Sequence, residues 1–234
     1  MVCHSPPFSK GCSKTPCATG DTEINSIAHK LFQEFNPHTK ISSPKAKFIQ
    51  KANSENYGLR WFDKRRYKDI FSLVTIDKQP ILLQFLFPKT PSKLRYYRDV
   101  FNSSQKHSQD HFYVFAITDL TNEIIGWVQY TPDVNVSQLR KITKISRGSL
   151  VFEVSYAKLF TPNNRYVAVN GLKQSLETIR TIDNHKSKEV YLTGYTDPLN
   201  SASEAVLKNN GFIKLSHQIP YENELSNIWL LKIN

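Results

Sequence analysis

Apolar positions along this chain fall into two kinds of spacing, and the alternation between them predicts its elements. Residues 152–160 and 190–195 are short blocks of aliphatic and aromatic residues of strand length. Between them Val169, Leu172, Leu176 and Ile179 are spaced three, four and three apart, which puts them on one face of a helix opening at Arg165. The turn Thr161-Pro162-Asn163-Asn164 separates that strand from that helix. Residues 111–118 and 124–130 read as two further strands joined as a hairpin through 119–123. Gly126 inside the second marks a bulge or a close backbone approach. Residues 212–218 and 227–233 read as a last strand pair after a short helix over 200–209.

Helical spacing recurs upstream. Asp63 is a capping residue for a helix in which Tyr67, Ile70, Phe71 and Val74 share a face. Thr90-Pro91 is a second helix start, followed by Leu94, Tyr97 and Phe101 in line. Residues 81–87 are apolar and fit either a buried loop or part of a wall beside an acceptor. A short helix is expected over 24–35 (Ile24, Ile27, Leu31, Phe35), ended by Asn36-Pro37. The order is two helices, a hairpin, strand–helix, strand–helix and a strand pair. That order predicts an α+β fold: a mixed, mostly antiparallel sheet with one parallel strand pair, flanked by helices.

Composition narrows the class. The chain has 234 residues, 39% of them hydrophobic, and no apolar run of membrane-spanning length, so a soluble protein without a membrane partner is expected. Residues 1–22 are rich in Ser, Pro, Thr and Gly, without the apolar core of a secretory signal. The expected division is therefore an N-terminal extension, 1–56, largely disordered, and a folded domain, 57–234, in the cytoplasm. All three cysteines, Cys3, Cys12 and Cys17, lie in that extension; their spacing with His4 lacks the paired knuckles of a zinc site, so no metal is expected. The net charge of +11 leaves an anionic partner open: nucleic acid, or a polyphosphate cofactor.

Candidate chemistry starts at the strand–helix junction. The first turn of the helix after Arg165 presents unpaired backbone N–H groups and the positive end of the helix dipole, a seat for phosphate. A second signal is the string Asp197-Pro198-Leu199-Asn200-Ser201-Ala202-Ser203-Glu204-Ala205-Val206-Leu207-Lys208-Asn209-Asn210-Gly211-Phe212. Asn200 is a good N-cap, and Asn210-Gly211 ends the helix before a strand.

That string resembles the Asn-x-x-Ser/Ala-x-x-x-Leu-x-x-x-Gly-Phe signature of the GNAT acetyltransferases, and among them the ribosomal-protein N-terminal acetyltransferase branch. Asn200 stands eleven residues before Gly211, as in that family. Arg165-Tyr166-Val167-Ala168-Val169-Asn170 occupies the place of the family's Arg/Gln-x-x-Gly-x-Gly/Ala loop. There Ala168 and Asn170 stand for small residues, and Gly171 comes one place late.

The resemblance implies a GNAT acyl-CoA N-acyltransferase fold whose parallel strands splay. It implies an enzyme that transfers an acyl group, acetyl by default, from acetyl-CoA directly to a primary amine of a protein or small molecule. Arg165, Tyr166, Val167, Ala168, Val169, Asn170 and Gly171 would hold the CoA pyrophosphate. Asn200 and Ser203 would lie near the pantetheine, with Ser203 a stand-in acid. Amides near Leu159 and Phe160 would receive the thioester oxygen. Glu153 is the carboxylate on the central strand, and related enzymes often use a Glu there as base. It sits two residues farther from Pro162 than in relatives, a shift that preserves its sheet face. A surface or paired Glu is the competing reading.

The family's Tyr acid is replaced here by Leu207. Tyr191, Tyr195 and His217 are further candidates for its task. The alternative to an enzyme is an inactive module on the same fold, using Arg60, Lys64, Arg65, Arg66, Arg140, Lys141 and Lys144 against nucleic acid or a ribosome-like surface.

Overall fold

The computed structural model describes residues 18–39, 57–77, 93–103, 113–159, 166–181, 188–221 and 224–233. Its elements, in chain order, are α1 (Ala18–Phe35), β1 (Gly58–Trp61), α2 (Tyr67–Asp77), α3 (Lys93–Ser103), β2 (Tyr113–Thr118) and β3 (Ile124–Pro132). They continue as α4 (Val136–Ile142), β4 (Leu150–Lys158), α5 (Val167–Arg180), β5 (Val190–Thr196), α6 (Ser201–Asn209), β6 (Ile213–Tyr221) and β7 (Glu224–Lys232).

The strands form a seven-stranded sheet in the order β1-β2-β3-β4-β5-β7-β6. Every neighbouring pair is antiparallel except β4 and β5, which run parallel. This is the mixed α+β sheet that the element order predicted. Three elements were not foreseen: β1, the longer α1, and the short α4 inside the polar connection after β3. The starts expected at Thr90-Pro91, the run 81–87, and the three cysteines lie outside the described residues.

Side chains on the two faces of the sheet meet different helices. On one face α5 packs closely: Tyr130 and Ser175 share a hydrogen bond at 2.6 Å, and a Cβ on Gly171 would meet Ile117 Cδ1 at 2.2 Å. On the other face Trp127 donates to Asp77 of α2 at 2.9 Å. β2 and β3, covered on both sides, are almost wholly buried, so they read as continuous apolar runs rather than alternating ones. α1 belongs to this same core: Ala28, Leu31 and Phe32 are buried in it, and Phe32 meets Tyr67 of α2 edge to face. A second, smaller core lies under α4, where Leu139 packs with Val151, Ile219 and Ile228.

Gly126 is a close-approach glycine. A Cβ there would sit 2.7 Å from the Ala157 carbonyl oxygen and 3.2 Å from Val167. The first is backbone fixed by the ladder, so Gly126→Ala is expected to cost about 1–3 kcal/mol, as overpacking does. A drop in the urea midpoint at unchanged slope is the measurement that shows it.

Candidate active site

β4 and β5 pair only from Leu150–Val190 to Glu153–Thr193. Beyond that pair β4 continues to Lys158 on β3 while β5 continues to Thr196 on β7, so the two strands part. Leu159 donates its amide to Ile125 of β3 at 2.8 Å. Strand alternation then turns the Val154 and Tyr156 amides to the β5 side; the Glu153–Thr193 register spends the first on the Thr193 carbonyl, and the second lies past the last β4–β5 pair. The Tyr156 amide thus faces the gap. The Leu159 amide, expected at this task, is spent on the sheet, and Phe160 lies outside the described residues.

A cavity of about 100 Å³ occupies the gap, lined chiefly by Glu153, Tyr156, Tyr195, Ser203, Leu207 and Tyr221. At about 30 Å³ per water, that is room for a narrow chain and not for a nucleotide. Gly194 keeps it open toward α6, since a Cβ there would meet Leu207 Cδ1 at 2.7 Å. Tyr156 bounds the cavity on the α6 side, where its phenol donates to the Ser203 carbonyl at 3.0 Å. Burial pushes the Tyr156 phenol up from its ordinary value, so it stays a neutral donor.

The C-terminal string folds as its residues predicted. Asn200 caps α6 by accepting from the Ser203 amide at 3.1 Å. At the other end Gly211 takes a φ of +82°, and Phe212 returns its amide to Leu207 at 3.1 Å, which stops the helix before β6. Ser203 has its amide and its carbonyl engaged, yet the residue still lines the cavity.

At the N-terminus of α5 the structure divides the expected loop residues by task. Tyr166 is the cap position, 56% exposed, and makes no side-chain cap bond; the first helical bond runs from Asn170 to Tyr166. The amides of Val167, Ala168 and Val169 therefore precede the helical ladder, as a phosphate seat requires. The side chains of Val167 and Ala168 are buried, and Gly171 is small for packing against Ile117 rather than for ligand approach. Val169, expected on the core face, is half-buried at its edge, and its carbonyl accepts from Asn210 of α6 at 3.2 Å. Arg165 lies outside the described residues.

Glu153 opens onto the cavity from the sheet face opposite α5, and Tyr221 donates to its Oε1 at 2.6 Å. Tyr195, one of the candidate acids, lines the same cavity, stacked on Tyr221. Burial, then the charge of Asp133, raises its phenol far above the ordinary value. Tyr191 packs in the smaller core and His217 is exposed beside Ser216, so neither joins the cavity. Tyr221 and Asp133 were missed at the level of sequence. Asp133 carries one weak signal, an acid directly after a strand in an otherwise basic connection.

Part of the basic set is committed within the fold. Arg60 forms a paired bridge to buried Asp69 at 2.6 and 2.9 Å, Arg65 bonds Asp63, and Arg140 donates to the Arg147 and Ser149 carbonyls. Among the described residues no group of His, Cys, Asp and Glu has the make-up of a metal site, and no helix is long and apolar enough to cross a membrane.

A central sheet whose parallel pair splays over an uncapped helix end is the GNAT acetyltransferase fold. Structural comparison agrees. The chain is similar to RimL, a ribosomal L7/L12 alpha-N-protein acetyltransferase solved with coenzyme A, at 15% identity and a TM-score of 0.55, over 79% of this chain and 98% of that one. It is also similar to spermidine N-acetyltransferase from Vibrio cholerae, solved with CoA and spermine (14%, TM-score 0.53, 75% and 95% covered). A third is the aminoglycoside acetyltransferase AAC(6')-Ib in complex with coenzyme A (11%, TM-score 0.52, 76% and 95% covered). In sequence, no family model and no curated protein matches the chain.

Proposed function

We propose that this protein is an acyl-CoA-dependent N-acyltransferase, with acetyl-CoA as donor and a primary amine as acceptor. The observation that carries the proposal is the parting of β4 from β5 after Glu153–Thr193, which leaves a cavity edged by the Tyr156 amide and by a carboxylate. The similar structures solved with coenzyme A support the same reading.

Each part of the site has a task in such a transfer. The α5 amides of Val167, Ala168 and Val169, with Arg165 before them, suit the pyrophosphate. The gap accepts the narrow pantetheine arm, whose amides pair with the β4 edge as an added strand would. When bound, acetyl-CoA supplies an activated thioester carbonyl. The Tyr156 amide suits the place where charge gathers on that oxygen. Glu153 takes the proton from the incoming ammonium so that nitrogen attacks as the free amine. Tyr221, within hydrogen-bond reach of Glu153, lines the same cavity as Ser203, and Ser203 stays the candidate donor for the departing sulfur.

The test is thiol release from acetyl-CoA across a panel of amines and peptides, paired with thermal melting. Saturating CoA is expected to stabilise the fold by about 2.7 kcal/mol at a hundred times its Kd, and Arg165→Glu to remove that shift. A melting temperature indifferent to millimolar CoA counts against the proposal.

A further inference from the structure

Glu153 is the end of a chain of contacts that crosses the sheet. Tyr221, which donates to it, lies flat on Tyr195 with ring centroids 4.7 Å apart and planes 17° from parallel. The Tyr195 phenol donates to Asp133 Oδ2 at 2.7 Å. Thr193, fully buried, donates to the same oxygen, and the other Asp133 oxygen accepts the Asn135 amide at 2.6 Å. Asp133 is 5% exposed, and its donors come from separate stretches of chain. A buried carboxylate met by that many donors is a fixed point of the structure. Nothing in the phosphate seat or the C-terminal string requires it.

We propose that Asp133, Tyr195 and Tyr221 form a positioning relay that holds the Glu153 carboxylate ionised and in one orientation at the mouth of the strand gap. An unheld Glu samples several rotamers, and each departure from the reactive geometry costs rate. A short phenol–carboxylate bond fixes the orientation and favours the charged form. Tyr221 sits on the last residue of β6, where the flat stack on Tyr195 stops its ring from swinging out. Tyr195 in turn is pinned by Asp133. Asp133 therefore acts on Glu153 through two side chains, as a positioning residue.

Among the described residues, the titratable groups around Glu153 include Tyr221 from β6, Tyr195 from β5 and Tyr156 of its own strand, with Asp133 behind Tyr195. The proposal rests on the acyltransfer reading for what Glu153 does, and not for how it is held.

The experiment follows the Glu153 carboxyl by carbon-13 NMR titration in the substrate-free full chain, with Glu153→Gln assigning the signal. Tyr221→Phe keeps the ring stack and deletes one hydroxyl, and is expected to raise the Glu153 ionisation by on the order of one pH unit. Tyr195→Phe releases the stack from Asp133 and is expected to give a smaller shift in the same direction. In turnover with acetyl-CoA, the acid limb of kcat/KM moves up in step while KM for acetyl-CoA stays put. If Glu153 titrates in Tyr221→Phe as it does in the parent, the relay is overturned whatever the activity. A clear titration shift in a chain that never releases thiol keeps the relay and retires the acyltransfer reading.

Discussion

Replacing Glu153 by Gln is expected to lower kcat/KM for acetyl transfer by about 10²- to 10⁴-fold, the usual worth of a positioned general base. The substitution isolates that role. Gln keeps the length of the side chain and an oxygen for the Tyr221 phenol, which now donates to Glu153 at 2.6 Å. It removes the charge that, in the proposed transfer, accepts the ammonium proton. In the same reading the donor is held by main-chain groups on β4 and α5, so the melting shift given by CoA should survive. Thiol release at saturating donor, run beside that melting shift, separates the two. Unchanged turnover would return Glu153 to the competing reading, a paired carboxylate with no part in the chemistry.

Arg60→Met carries the largest expected loss of stability, about 3–5 kcal/mol, as when one partner of a buried ion pair is removed. Asp69 is 1% exposed and sits under the Arg60 guanidinium, which also bonds Asn122 and the Trp61 carbonyl. Methionine fills the space of the aliphatic stem but leaves the Asp69 charge buried without its main counterion. The Arg66 guanidinium stands farther off, at 3.8 Å. Urea unfolding of the variant measures the loss. If Arg60 instead served nucleic acid from an exposed position, the variant would unfold like its parent and lose salt-dependent binding.

Arg60 shows why part of this protein was illegible in its sequence. Beside Lys64, Arg65 and Arg66 it reads as one of a basic run, because the carboxylate that claims it lies nine residues away on another element. Asp133 is the same case over a longer reach, since its partner Tyr195 is 62 positions on. Tyr221 was passed over because a tyrosine at a strand end carries no periodic signal; only the return of β6 along β7 brings it to Glu153. The Leu159 amide was misassigned for a related reason. Which backbone donors of a strand face a gap depends on the register with its neighbour, and register is a tertiary fact.

Other features were written locally, and the sequence carried them. Asn200 caps α6 and Gly211 releases it because the capping oxygen and the positive φ need only the residues within one turn. The helix character of α5 follows from short-range periodicity, which water reads as amphipathic surface before any long contact forms, and the strands from short apolar, β-branched and aromatic runs. The sequence by itself thus determined most of the elements, their order and the opening of a helix soon after Pro162. Tertiary structure alone decided where β4 leaves β5, which amides look into the opening, and which distant carboxylate and tyrosines surround Glu153. The division is physical: caps and periodicity are settled over a few residues of chain, whereas a site is settled by pairing register and burial, which join residues the chain keeps far apart.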